Sequence, residues 1–448
     1  MKIIEAVTAV LNAGGEIYLV RRQPALAAFP GYHAFPGGKV DPDDETQAPN
    51  PLRRHGIAPR LLGALARELR EELGFDLATS DALRDVVQIG RALTPPIAPL
   101  RYDTHFYRID LDTRPSLAPD GDEIVEGGWA PASVWLRRYR QGRLLLAPPT
   151  LMALRDLAED PHASRLPRLE AFADGRADAI PEGILEVEPL HGLRQCLVRS
   201  NTLPPAMHTN CFLLGDEGSP RLLVDPSPAD EAEYARLARQ LAGRFDAIFL
   251  THHHSDHHER ADRLARETGV PILCSAVTRR RIAARWPRFF DDLEVRTIAD
   301  GEAVSRWLGR TVRALAVPGH DDGQLALLTE DRAWCIVGDL IQGIGTVVIA
   351  APEGDMRAYF ETLEKVIALD PAVILPSHGP ALGGTHYLRA ALEHRRLRER
   401  QILDLHRRGA DEDRILAEVY AGTPPPLLPF ARLNIQSHLA KLRAENRA

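Results

Sequence analysis

The chain has 448 residues, 26% charged and 44% hydrophobic. At roughly 150 residues per domain this suggests about three domains of ordinary globular composition, without long disorder. A net charge of −7 gives no global pull toward nucleic acid or an anionic membrane, and no apolar run approaches the ~18 residues of a membrane span. Cys196, Cys211, Cys274 and Cys335 lie far apart with no Cys-x-x-Cys pair, which excludes a disulfide scaffold and a thiolate zinc ribbon. Met1–Leu11 is broken by Glu5 and meets a turn at Asn12–Gly15. It is too short and polar for a signal peptide, so a soluble, cytoplasmic protein is expected.

In chain order, Ala6–Leu11 and Ile17–Val20 read as strands around the Gly14-Gly15 turn. A Pro- and Gly-rich loop, Phe35-Pro36-Gly37-Gly38, follows. The pattern predicts a helix over Leu61–Leu73 closed by Gly74, then strands at Val86–Ile89 and Thr104–Ile109, then a short helix after Pro148-Pro149. Residues 166–183, polar and bounded by Pro167 and Pro181, read as a linker. Beyond it short apolar runs (Cys211–Leu214, Leu222–Val224, Ala247–Leu250, Ile272–Cys274, Ala314–Val317, Cys335–Val337, Val373–Leu375) alternate with helical stretches. Several end in His, Asp or Gly, the habit of α/β domains that place chemistry at strand ends. From about Thr385 the chain is helical and Arg-rich, interrupted by Pro424–Pro426. The expected domains are 1–165, 184–384 and 385–448, with 166–183 between the first two.

The chemistry concentrates after the strand Asp246–Leu250. Residues 251–258 read Thr-His-His-His-Ser-Asp-His-His and hold five of the 17 histidines. The spacing His252-x-His254-x-Asp256-His257 offers two imidazoles to one metal and a carboxylate plus an imidazole to a second. His320 follows Val317-Pro318-Gly319, Asp339 follows Val337-Gly338, and His378 lies in Ser377-His378-Gly379-Pro380. Together these make five His and two Asp, enough for two metals.

This order resembles the metallo-β-lactamase superfamily, with its H-x-H-x-D-H loop and later Gly-His, Gly-Asp and His. The resemblance implies an αββα sandwich in which His252, His254 and His320 hold one metal and Asp256, His257 and His378 the other, with Asp339 bridging. It also implies Zn²⁺, or Mn or Fe, and a hydroxide between the metals as nucleophile, with Asp256 in a catalytic role. His258-Glu259 stands where the family often has Gly-Gly. Val337–Val348 and the tail (Glu393–Leu403, Ser437–Leu442) are similar to the lactamase-like protein 2 branch, which has a small helical, winged-helix-like C-terminal domain and includes single-strand-specific endoribonucleases. Glyoxalase II-type thioesterases are near relatives. Arg389–Arg408 holds seven Arg against three acidic residues and could track a phosphate backbone.

In the N-terminal third, Glu68, Glu71 and Glu72 share one helix face, and crowded carboxylates invite Mg²⁺ or Mn²⁺. With Gly37, Gly38, Arg67 and Gly74 they resemble the Nudix box, which implies an α/β/α sandwich hydrolysing nucleoside diphosphates linked to another moiety. Arg101-Tyr102-Asp103-Thr104 is similar to the branch containing coenzyme A diphosphatases. An insertion at about Thr46–Arg60 separates loop from helix and leaves Asp44 and Glu45 as stand-ins for a box glutamate. Three accounts follow: a phosphodiesterase cleaving single-stranded RNA; an acyl-CoA or glutathione-type thioesterase coupled to a coenzyme A diphosphatase-like domain; or a Nudix half that senses a ligand without chemistry. No protein partner is evident.

Overall fold

The computed structural model describes residues 3–48, 56–95, 101–173 and 183–448. The chain forms two compact units, Met1–Gly183 with Glu188–His191, and Ile184–Val187 with Gly192–Ala448.

The first unit is built on β1 (Ile3–Ala13), β2 (Glu16–Arg22), β3 (His33–Ala34), β4 (Leu83–Leu93), β5 (Arg101–Leu111) and β6 (Ile124–Pro131). The sheet order is β3-β2-β1-β5-β4, with β6 on β2. β1 and β5 run parallel through eleven paired residues. Both faces of β1 are buried: Val7, Ala9 and Leu11 pack under helix α2 (Pro59–Leu73), while Val10 belongs to a second core on the opposite face. Gly74 ends α2 at φ +64°, its N–H returning to the Arg70 carbonyl. The short helix α1 (Asp44–Gln47) precedes α2; α3 (Ala132–Arg140) and α4 (Pro148–Glu159) cover the other face. Part of the stretch expected as linker is structured: Leu166, just before α5 (Pro167–Ala173), and Leu169 within it are both fully buried in the second core with Ile89 and Leu154. Two apolar residues three apart give one turn of helix enough to bury. Residues 174–182 of that linker, and 49–55 of the insertion, lie outside the described residues.

The second unit packs two sheets. The first is β13-β12-β11-β10-β9-β8-β7, from β7 (Glu186–Leu190) through β8 (Leu193–Arg199), β9 (His208–Leu214), β10 (Leu222–Val224), β11 (Ala247–Phe249) and β12 (Ile272–Cys274) to β13 (Val295–Thr297). The other runs β14 (Ala303–Trp307), β15 (Arg310–Ala316), β16 (Leu325–Thr329), β17 (Cys335–Gly338), β18 (Val373–Pro376), β19 (Leu382–Gly383). Alternation shows the layering. On β11, Ile248 joins the core under α6 (Glu231–Leu241) and α8 (Ala261–Thr268), while Phe249 is equally buried on the inner face. On β17, Cys335 and Val337 face α10 (Met356–Leu369), and Ile336 points inward. Helix α7 (Ser255–His258) is a single turn; α9 (Ala276–Arg285) covers the first sheet. The result is the expected αββα sandwich. At its C-terminal end α11 (His386–Arg407), α12 (Glu412–Val419) and α13 (Leu428–Ala444) close a small core around Ile402, Ile415 and Ile435.

Candidate active site

The histidine loop leaves β11 at Leu250, where the chain turns out of the sheet and exposes successive side chains to the space beyond the strand ends. The structure brings all seven sequence-predicted ligands of this unit together. His252 Nε2 lies 3.2 Å from His254 Nδ1, and His320 Nε2 3.0 Å from the same atom. Across the basin His378 Nε2 is 3.5 Å from Asp256 Oδ2, and His257 Nε2 3.8 Å from Asp256 Oδ1. Asp339 stands between: Oδ1 is 3.5 Å from His378 and 3.7 Å from His257, and Oδ2 is 3.9 Å from His320. Ligand atoms of His252/His254/His320, of Asp256/His257/His378 and of His252/His257/Asp339 each fall within 4.8 Å of one another.

Four of the five imidazoles are hydrogen-bonded at the outer nitrogen, which leaves the other aimed inward. His320 Nδ1 donates to the Val348 carbonyl at 2.8 Å and His378 Nδ1 to the His208 carbonyl at 2.9 Å. His252 Nδ1 lies 3.0 Å from Thr251 Oγ1, His257 Nδ1 2.9 Å from Asp225 Oδ2, and His254 Nε2 3.8 Å from Glu353. Asp225, fully buried at the end of β10, also accepts from the Thr251 amide and hydroxyl. It keeps a φ of +51°, a cost for a non-glycine residue that three hydrogen bonds to one carboxylate sustain. Gly319 is needed where it stands: φ is +138°, and a Cβ there would meet the Tyr359 backbone at 2.4 Å.

The electrostatics are those of donors gathered without counter-charge. Burial and the neighbouring imidazoles drive His252 well below its ordinary value, and burial takes His320 down to about 4. Burial opposes charge on His257 too, but Asp256, Asp225 and Asp339 outweigh it and carry the imidazole up to about 10. Burial likewise works against the Asp256 carboxylate, but His257, His378 and the Thr202 hydroxyl hold it ionised, well below its ordinary value. His257 Nε2 and Asp339 Oδ1 are buried, without a hydrogen-bond partner, and face each other. Nitrogen and carboxylate donors gathered with inward atoms unsatisfied fit divalent cations.

Glu353, Asp225, and the ion pair of His253 with Asp321 escape sequence reasoning. Asp225 had one available signal, an acidic residue ending the apolar run Leu222–Val224. His258, at the departure from Gly-Gly, is buried against Trp286 and Phe289, and its Nε2 donates to the His253 carbonyl, closing the loop. Cys274 is buried, its thiol pushed up to about 12, and contributes to none of the clusters.

In the first unit the Gly37 amide donates to Glu72 Oε2 at 2.9 Å, and a Cβ on Gly38 would lie 2.3 Å from Glu68 Oε1, so only glycine lets this loop drape over the helix. Arg67 donates to both oxygens of buried Asp44, at 2.8 and 3.0 Å, and also to Glu68, Glu71 and the Lys39 carbonyl. Of the two expected stand-ins, Asp44 is the one that Arg67 holds, tying the loop to the helix across the insertion. Burial and Glu68 push Glu72 up to about 8, and its Oε1 is buried without a partner. Glu71 remains exposed; the three glutamates do not place three ligand atoms within 4.8 Å of one another. Buried Glu72 and half-buried Glu68 offer hard oxygens that fit a divalent cation.

Among the arginines of α11 and its C-cap Arg408, Arg395 is buried and Arg398 half-buried, while Arg389, Arg396, Arg400, Arg407 and Arg408 are exposed. Arg395 is buried against the Val347 carbonyl, Arg396 pairs with Glu364, Arg398 donates to the Val419 carbonyl at 2.7 Å, and Arg408 pairs with Asp404 at 2.7 Å.

A two-sheet sandwich with a His/Asp basin at its strand ends, in a chain that also carries a glycine loop over a glutamate helix, defines a hydrolase with two hydrolase folds. The chain belongs to the metallo-beta-lactamase superfamily: that family model matches residues 204–378, preceded by a NUDIX domain at 1–143 and followed by a beta-lactamase associated winged helix domain at 412–448. Among curated relatives, the beta-lactamase-like protein 2 homolog of Drosophila melanogaster is 29% identical over 265 residues, spanning 53% of this chain and 83% of that protein. The hydroxyacylglutathione hydrolase of Acidiphilium cryptum is 30% identical over 249 residues, 54% of this chain and 94% of that protein. The atrochrysone carboxyl ACP thioesterase of Aspergillus fumigatus is 30% identical over 200 residues, 44% of this chain and 58% of that protein. Among the described residues no helix is long and apolar enough to cross a membrane.

Proposed function

We propose that the second unit hydrolyses an acyl thioester of the coenzyme A or carrier-protein type at a dinuclear centre, and that the NUDIX unit hydrolyses a nucleoside diphosphate linked to another moiety. The observation that carries the dinuclear reading is Asp339, whose two oxygens face opposite halves of the basin, Oδ1 toward His257 and His378 and Oδ2 toward His320. His252, His254 and His320 would hold one cation, and Asp256, His257 and His378 the other. Divalent cations in such a site supply acidified water and polarise an electrophilic carbonyl.

The chain's own residues supply the rest. Asp256, kept ionised by His257 and His378, would serve as an anionic ligand and orient the attacking water. Four imidazoles, His252, His257, His320 and His378, tethered at their outer nitrogens, keep the basin preorganised. The four cysteines are buried with thiols pushed up, so no thiolate of this chain serves as nucleophile. Two observations favour a thioester over single-stranded RNA. Arg395 and Arg398 of α11 are engaged by the Val347 and Val419 carbonyls, and two of the relatives described above are named as an acyl carrier-protein thioesterase and a hydroxyacylglutathione hydrolase.

The test is a competition. The protein loaded with Zn²⁺ or Mn²⁺, and its Asp256→Asn variant, are incubated with acyl-CoA, acylglutathione and unstructured RNA together, and products are read by mass spectrometry. Free thiol that disappears in the variant is expected; RNA fragments with intact thioesters would overturn the thioester reading.

A further inference from the structure

Between β17 and α10 the chain runs through an irregular segment, Thr346–Ile349, whose backbone is gripped from two sides. On one side Val347 presents its carbonyl to Arg395 of α11, and the Ile349 amide donates to Asn434 Oδ1 of α13 at 2.9 Å. On the other side the intervening Val348 carbonyl accepts from His320 Nδ1 at 2.8 Å. This alternation is what an extended backbone dictates: the carbonyl of one residue and the amide of the second residue on point the same way, and the carbonyl between them points the opposite way. Arg395 and Asn434 are 5% and 4% exposed, and Val347 and Ile349 bury their side chains in the core, so the segment has no freedom to rotate while both grips hold. A few residues on, Glu353 comes to 3.8 Å from His254 Nε2. The same strap therefore meets the outer nitrogens of two imidazoles of one cluster, His254 and His320. The outer partners of the other cluster, Asp225 for His257 and the His208 carbonyl for His378, lie on β10 and β9.

We propose that Asn434 and Arg395 are positioning residues through which the C-terminal helices set the orientation of His320, and hence the integrity of the His252/His254/His320 cluster alone. The inference rests on the dinuclear reading above. The C-terminal helices thereby act as a back-plate of the active site: their docking selects the rotation of one backbone carbonyl, and that carbonyl fixes which nitrogen of His320 carries the proton.

The test is titration of the metal-free full-length chain with Co²⁺, following ligand-field absorption and counting bound ions by mass spectrometry. A His320→Ala variant identifies which absorption belongs to the affected cluster. Every variant is made in a Glu72→Gln background, which removes the NUDIX cation, and this parent, the wild type of the series, is expected to take up two ions per chain. Asn434→Leu, which keeps the volume and removes the acceptor, should bind one ion as tightly as the wild type and the second at least about tenfold more weakly. Asn434→Asp, which keeps the oxygen, should restore it. The retained first ion reports that Asn434→Leu is folded. Binding of both ions at wild-type affinity in Asn434→Leu, equal weakening of both, or no rescue by Asn434→Asp would overturn the inference while leaving the dinuclear reading intact. A wild type that binds fewer than two ions would overturn that reading, and the inference with it.

Discussion

Asp256 and Glu72 are carboxylates displaced in opposite directions, and the displacement tells what each awaits. Asp256 is held ionised by two imidazoles. Its replacement by Asn removes the anionic ligand and should weaken the Asp256/His257/His378 cation and lower kcat by about 10-fold or more, while leaving far-UV circular dichroism unchanged. Glu72 is raised to about 8 from an ordinary 4.5 by burial and by Glu68. Between those values the folded chain holds a proton that the unfolded chain has released, so stability falls as pH rises through this window. Glu72→Gln should therefore raise the melting temperature of the cation-free NUDIX unit at pH 8, by ~2–4 °C per kcal/mol recovered. The same substitution should abolish the stabilisation that Mg²⁺ gives the wild type. A pyrophosphatase activity lost in Glu72→Gln would dispose of a purely sensing role for this unit; calorimetry at pH 5 and 8 with and without Mg²⁺ checks the rest.

At the scale of elements, two glycines carry opposite lessons from their usual ones. Gly63 lies inside α2, where Ala ordinarily stabilises a helix by about 1 kcal/mol. Here a Cβ would come within 1.9 Å of the Asp44 carbonyl oxygen, because α1 packs directly on the helix to bring Asp44 to Arg67. Gly63→Ala should therefore destabilise, by about 1–3 kcal/mol, and urea denaturation would show the sign. Gly319 sets the turn that delivers His320; Ala there must displace the Tyr359 backbone. Gly319→Ala should lower metal affinity at the His252/His254/His320 cluster as well as stability, measurable by chelator competition.

At the scale of the molecule, the C-terminal helices α11 and α13 are tied to each other by buried charge. Glu399 receives Lys441 Nζ at 2.9 Å beside His438 and is held down to about 2, His438 and Lys441 outweighing the cost of burial. A depressed carboxylate contributes stability that is fully present above its ordinary 4.5 and lost as pH falls toward 2. The stability difference between wild type and Glu399→Gln should accordingly be constant at neutral pH and shrink between about 4.5 and 2, as read by guanidinium titrations across that range.

Much of both the fold and the candidate site was legible without coordinates, and the reason is local. Strand-end runs such as Leu222–Val224 and Ile272–Cys274 match β10 and β12 residue for residue, because strands buried on both faces read as continuous apolar runs. The histidine loop is a short contiguous motif whose chemistry follows from residue type and spacing. Strands with polar or alternating sequence, such as β6 and β14, were not legible, since their burial depends on partners distant in the chain. By itself the sequence determined the donor types, their order, and the two hydrolase folds that present them. Only the tertiary structure decided that Asp44 meets Arg67 beside the glycine loop, that Asp225 holds His257 from behind, and that Arg395 of α11 is buried against the Val347 carbonyl. Those outcomes depend on which side chains meet across 20 to 100 residues of chain, and such meetings are set by packing rather than by any local pattern.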